Sequence, residues 1–277
     1  MFQAAFASSV ARPKERIFFT KMDHVLKLLP KEFQGKSHFK DPFLYKIFDR
    51  LVVPFLINPL VHIFRLVTLI REVPGTDQVE VQKGIFRKIV WIEGYFQGQN
   101  FFDPEKVRQW TVNEQFQRRA SKALRDLVPP GRVSVALHWR LGDYKNFTVF
   151  GEKNPSLPVG YFQEAIQRIQ KSIKNPFFIF FSDEPEQVAT QLNLNSADYA
   201  VSYQPPEIDV LTMSLCDHLI LSNSTLAWWG GYWGKGAGKL IFAPRNWLGW
   251  KNGVTYPPAI EPGFATLIEP HNIRGHR

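Results

Sequence analysis

The stretch Arg132-Val-Ser-Val-Ala-Leu-His-Trp-Arg-Leu-Gly-Asp-Tyr144 constrains the fold more than any other part of the sequence. Val133, Val135 and Leu137 alternate with smaller residues, the pattern of a short buried strand. His138, Arg140, Gly142 and Asp143 follow at its carboxyl end. In open α/β sheets ligands bind at that end, because loops there place polar groups over a rigid scaffold. Taken singly, each residue has a plainer reading. An Arg and an Asp three residues apart can close a turn as a solvated ion pair, and a His after a strand is often only packed. Together, and with a second polar cluster downstream, they read as a site.

The second cluster lies within Asp209–Trp233. Val210, Met213, Leu215 and Cys216 mark a helix, His218 to Leu221 a strand, and Ser222-Asn-Ser-Thr225 a turn that opens another helix. Hydroxyls and free backbone N–H groups at a helix start form an anion site, into which a diphosphate fits. The alternative is that Ser224 or Thr225 merely caps the helix. Trp228 and Trp229 read as packing. Lys239 to Pro244 makes a last strand, ending in Arg245-Asn-Trp247. Three strand ends thus carry cations or hydroxyls, at Arg140, Ser224/Thr225 and Arg245. Neither a Walker loop nor a G-x-G-x-x-G fingerprint is present, which sets aside NTPases and nicotinamide enzymes and leaves a nucleotide-sugar enzyme.

The remaining segments fill in an α/β chain. Strands are expected at 16–20, 88–92 and 177–181, and helices at 1–10, from Asp103 to Leu127 and at 160–173, with a polar loop over 144–158. Gly94, in the turn Glu93-Gly-Tyr-Phe-Gln97, allows close approach, and the aromatics beside it suit either a sugar or packing. The acidic run Ser182-Asp-Glu-Pro-Glu186 reads as complementing a helix dipole rather than as a metal site. Pro129-Pro-Gly131 stops a helix and sets a domain boundary, giving domains 1–128 and 129–277. Residues 51–70 are the most apolar segment, but Pro54, Asn58, Pro59, His62 and Arg65 interrupt it. It reads as a core or membrane-surface segment rather than a spanning helix.

Composition narrows the class of function. The single Cys216 rules out an internal disulfide. The net charge of +9 is spread along the chain without a nucleic-acid signature, so it suits an anionic small ligand or membrane surface. The start lacks the pattern of a signal peptide. The expected location is cytoplasmic, with peripheral contact to the inner membrane through 51–70; a Golgi form would need an amino-terminal anchor.

The stretches Trp91–Gln97, His138–Tyr144, Phe181–Glu184, Met213–His218, Ser222–Gly230 and Ala243–Trp247, in that order, resemble the alpha-1,2-fucosyltransferases of glycosyltransferase family 11. The resemblance implies a GT-B fold, two Rossmann-like domains facing a cleft, with GDP-fucose held mainly by the carboxyl-terminal domain. It implies inverting transfer of fucose from GDP-β-L-fucose to a hydroxyl of a terminal β-galactoside, with no metal and no other cofactor. It also implies a strand and a Gly-rich loop ahead of Met1, and an Arg, in many relatives, where Leu141 stands.

The residue chemistry fits that role. A guanidinium gives paired, charge-assisted hydrogen bonds to a departing diphosphate, which assigns Arg140. Ser222, Asn223, Ser224, Thr225 and Arg245 are the further donor-binding candidates, and His138 would touch the nucleotide or diphosphate. Asp143 is the nearest acid to serve as base for the acceptor hydroxyl, or else it fixes its loop. Three rival readings are a non-catalytic nucleotide- or carbohydrate-binding remnant, a fucosyltransferase of different linkage and, least favoured, a nucleic-acid binder with salt-sensitive retention.

Overall fold

In a computed structural model of the chain, the residues described are 1–10, 66–108, 110 and 112–271, with isolated positions 55, 59 and 63. The strand expected at 16–20 lies outside them, as does the apolar segment 51–70 apart from those three positions and 66–70. The chain divides into two compact units, Met1–Asn113 and Glu114–Arg277. The division therefore precedes the helix Glu114–Leu127 instead of following it at 128/129. That helix packs against helix Pro206–Leu215, which assigns it to the carboxyl-terminal unit even though Pro129-Pro-Gly131 breaks the chain behind it.

In the amino-terminal unit, helix α1 (Phe2–Val10) accompanies a sheet of β1 (Val67–Glu72), β2 (Val79–Gln82) and β3 (Phe86–Glu93), in the order β2-β1-β3. Phe6 stacks on Phe96 with centroids 3.9 Å apart, and Phe101 meets both edge-on. Phe96 is therefore packing, while Tyr95 beside it is exposed. Close approach at Gly94 is real, since a Cβ there would lie 2.6 Å from the Cβ of Glu72. The helix expected from Asp103 to Leu127 is two, α2 (Pro104–Arg108) and α3 (Glu114–Leu127). Pro104 suits the first turn of α2, and Asn113 is a residue type favoured just before a helix.

The carboxyl-terminal unit is built around β4 (Val133–Trp139). It continues with β5 (Thr148–Val149), β6 (Glu152–Lys153), α4 (Val159–Ser172), β7 (Pro176–Ser182), α5 (Pro185–Leu192), β8 (Tyr199–Val201), α6 (Pro206–Leu215), β9 (His218–Ile220), α7 (Thr225–Gly234), β10 (Ile241–Pro244) and β11 (Thr266–Ile268). Six of these strands form one sheet in the order β11-β10-β9-β4-β7-β8, each neighbouring pair parallel. Strands covered on both faces read as near-continuous apolar runs, and β7, with Phe177 to Phe181 all buried, is such a run. Val135 and Leu137 meet Phe178, Phe180 and Ile220, and Tyr161, Phe162, Ile166 and Ile169 of α4 close over them. Each such fully buried large side chain stabilises the fold by about 1.5–3 kcal/mol.

Helix α3 buries Ala120 and Ala123 and exposes Arg118 and Lys122, which pair with Glu114 and Asp126 one turn away. Two short features depart from expectation. The loop 144–158 contains the β5–β6 hairpin, and β10 is followed by β11, whose three residues carry too little pattern to announce a strand. The α/β class and the Rossmann-like carboxyl-terminal unit are as the sequence led us to expect.

Candidate functional site

The strand order fixes where a ligand can enter. From β4 the chain moves outward through β7 and β8, then returns to β9 on the other side of β4 and moves outward through β10 and β11. The crossovers diverge between β4 and β9, and the crevice at the carboxyl ends of two such strands is the usual ligand site of an open α/β sheet. His138 and Arg140 stand at the end of β4, and Ser222 to Thr225 at the end of β9.

His138 ties the two strands together, with Nδ1 2.8 Å from Ser222 Oγ. Burial first, and the neighbouring Arg140 charge second, lower its pKa to about 4. It is a neutral hydrogen-bonding group near pH 7.

Arg140 forks onto Asp143, its Nε 2.7 Å from Oδ1 and its Nη2 2.8 Å from Oδ2. This pairing holds the Asp143 carboxyl below the usual range, so it is ionised but a weaker proton acceptor than a free carboxylate. Both side chains remain within reach of solvent, 36% and 61% exposed. A second carboxylate flanks the same guanidinium, Asp183 Oδ2 lying 3.4 Å from Arg140 Nε.

At the start of α7, Ser224 occupies the N-cap with extended backbone (φ −115°, ψ 137°), yet its hydroxyl makes no capping hydrogen bond. The plain capping role for Ser224 is thus not what the structure shows. The first intrahelical bond runs from Trp228 N to Ser224 O, which leaves the N–H groups of Thr225, Leu226 and Ala227 to the open end of the helix. Asn223 is mostly consumed by architecture: its Nδ2 donates to Pro155 O and its backbone oxygen accepts from the Tyr144 hydroxyl, both at 2.7 Å. Its Oδ1 is buried without a partner. Trp228 and Trp229 are buried packing, as expected.

Arg245 directly follows β10, one strand beyond β9, and pairs with Glu269 at 2.8 Å. No hydrogen bond joins it to the other candidates among the described residues, so the structure places it at the same edge of the sheet but outside the His138–Ser222–Arg140 group.

Sequence reasoning missed three contributors, Asp183, Glu184 and Tyr144. The acidic run after β7 does more than complement a dipole: Asp183 accepts from Leu141 N and Gly142 N, and Glu184 holds Lys145 at 2.6 Å. Only Glu186 sits in the first turn of α5. Tyr144 stitches the turn after β4 to the α7 start. Outside this group, Asp209 of α6 accepts from Ser202 Oγ at 2.6 Å, and burial raises its pKa to about 7. The clue to Asp183 was its place directly after a fully buried strand, but nothing in the sequence says that β7 lies beside β4. Among the described residues, no group of three or more His, Cys, Asp or Glu is placed to hold a metal.

Taken together, the arrangement offers a partly exposed guanidinium and an uncapped helix terminus on adjacent strands. Both are elements of anion sites.

Residues 90–249, more than half of the chain, match glycosyl transferase family 11. The O-antigen biosynthesis glycosyltransferase WbnK of Escherichia coli is 30% identical over 43% of this chain and 40% of its own length. The galactoside alpha-(1,2)-fucosyltransferase 2 of Mus musculus is 24% identical over 47% of the chain and 39% of its own. The alpha-1,2-colitosyltransferase of Escherichia coli is 25% identical over 56% and 55%. The chain thus spans about half the length of the curated relatives it matches, or less. A solved glycosyl transferase of family 9 from Veillonella parvula aligns over 67% of this chain and 54% of its own, with 12% identity and a TM-score of 0.36. With the matched segment running from β3 through β10 and so spanning the crevice residues of β4 and β9, the chain belongs to glycosyl transferase family 11.

Proposed function

We propose that the protein transfers L-fucose from GDP-β-L-fucose, with inversion and without a metal, to a hydroxyl of a terminal β-galactoside, forming an α-1,2 linkage. The observation that supports this most is that Arg140 and the uncapped start of α7 follow adjacent strands, β4 and β9, at the switch point of the sheet. One phosphate of the donor sits on the N–H groups and the Ser224 and Thr225 hydroxyls of α7. Arg140 takes the other, exchanging the Asp143 carboxylate on its Nε–Nη2 edge for phosphate oxygens.

As the bond from the fucose anomeric carbon to the phosphate oxygen breaks, its electron pair goes to the diphosphate, where Arg140 offsets the added charge. The acceptor oxygen attacks from the opposite face and gives up its proton to a base. Asp143 is the carboxylate we assign to that step, and leaving the Arg140 fork would raise its proton affinity. Ser222 and His138 keep the two loops in register, and Asn223 shapes the pocket floor.

The test is transfer from GDP-fucose to lactose, with the linkage of the product read by NMR. An α-1,2 product supports the reading. GDP binding without turnover would support the non-catalytic remnant instead. A second reading changes only the sugar: the colitosyltransferase has the longest of the reported matches, 161 residues. Competition between GDP-fucose and nucleotide-activated colitose separates the two.

A further inference from the structure

Asp183 stands outside every group of residues that the sequence marked as a site, yet it touches the crevice at three points. Its Oδ1 accepts from Leu141 N at 3.0 Å and its Oδ2 from Gly142 N at 2.9 Å. The same Oδ2 lies 3.4 Å from Arg140 Nε. On either side of it, Ser182 Oγ donates to Trp139 O at 2.7 Å and Glu184 binds Lys145 at 2.6 Å. Three consecutive residues at the end of β7 therefore grip the segment 139–145 from its backbone and its side chains.

We propose that Asp183 is a positioning residue of the transfer reaction, setting the Leu141–Gly142 backbone and the Arg140 guanidinium and through them the hold on the leaving diphosphate. This rests on the reading of Arg140 as a diphosphate ligand.

Only a carboxylate fits the contact. It offers two acceptor oxygens to two successive N–H groups, whereas an amide would turn an NH2 donor toward one of them. Gly142 belongs to the same device, because a Cβ there would lie 2.7 Å from Asp183 Oδ2. Without the carboxylate the turn loses its anchor next to Arg140, and displacement of a ligand group by about 1 Å costs on the order of 100-fold in rate.

The experiment is a mutant cycle on the full chain, read by calorimetric binding of GDP and of inorganic pyrophosphate, by turnover and by thermal melting. Asp183→Asn should weaken both ligands about 10- to 100-fold, as for a lost charge-assisted hydrogen bond. It should lower kcat while leaving the acceptor KM unchanged. In an Arg140→Ala background the same substitution should add little, since the two act as a unit.

Gly142→Ala should reproduce the defect in the presence of Asp183, but D183A/G142A should be no worse than D183A. G142A carries the test if D183N does not fold. Wild-type ligand affinity in D183N, full additivity with R140A, or parallel loss of donor binding, acceptor KM and melting temperature would each overturn the proposal. Pyrophosphate binding without GDP binding in the wild type would overturn the donor reading alone, with the cycle then read on pyrophosphate. Binding of neither would overturn both.

Discussion

Arg132 and Arg140 stand at the two ends of the same strand and are held in opposite ways. At the amino end, Arg132 donates to the backbone oxygens of Asn175, Pro176 and Ala197 and pairs with Asp198. Its neighbours behave alike: Asp217 accepts from both the N–H and the hydroxyl of Ser134, and Lys239 donates to Ser214 O and Cys216 O. Charge there is spent on the chain itself. At the carboxyl end, charges pair with one another, Arg140 with Asp143, Lys145 with Glu184 and Arg245 with Glu269, and most of these side chains are half-exposed. A side chain bound to a carbonyl that is part of the fold cannot change partners cheaply, whereas one bound to a solvent-exposed carboxylate can exchange it for a phosphate. A groove of about 680 Å³ also lies at the amino end, lined by Arg132, Lys174 and Asp198 among others. Partner exchange is what distinguishes the carboxyl end.

The sharpest break in this comparison is a pair of alanine substitutions. Arg140→Ala should lower kcat by about 100- to 1000-fold, the usual effect of deleting one group that stabilises developing charge, with little change in melting temperature. Arg132→Ala should do the reverse, leaving turnover per folded molecule unchanged and costing about 1.5–3 kcal/mol of stability, measured by urea denaturation. If R132A loses activity at constant stability, the two ends are not distinct.

The buried titratable groups of the carboxyl-terminal unit sharpen the contrast by pH. His138 takes its proton at about 4 when folded and near 6.5 when unfolded. Between those values only the unfolded chain is protonated, so stability falls as pH drops, by about 3 kcal/mol in full. Asp209 has the opposite sign. Its pKa is raised from 3.8 to about 7, so the folded chain keeps a proton that the unfolded chain has lost, and stability falls as pH rises through that window. Taking the gap as the urea midpoint at pH 7 minus that at pH 4.5, His138→Gln should shift it toward negative values and Asp209→Asn toward positive ones. A gap unchanged in both would mean that neither group is buried as described.

The smallest effect belongs to Arg245. Its partner Glu269 is 66% exposed, so Arg245→Ala should change stability by less than about 1 kcal/mol. Donor KM should rise only a few-fold, measured by initial rates. A loss as large as that of R140A would bring Arg245 into the central group after all.

The legibility of the sequence followed the same division. β4, β7 and β9 were readable because a strand covered on both faces must be almost wholly apolar, and His138, Arg140 and Ser224 because a polar residue directly after such a run has few places to go. Asp183 and Tyr144 were not, because their roles depend on which strands are neighbours, and pairing across 42 or 79 residues leaves no local mark. The placement of α3 was lost for a related reason. Pro129-Pro-Gly131 does end the helix, but which unit a helix joins depends on the distant surface that buries Ala120 and Ala123. The strand β11 was too short to show a period at all.

The most direct measurement is a GDP titration followed by backbone amide resonances. GDP bound at the switch point predicts the largest shifts at Leu141, Gly142 and Ser224 to Ala227, with Arg132, Lys174 and Asp198 unmoved. Shifts concentrated at those last three, with the α7 start silent, would contradict the account.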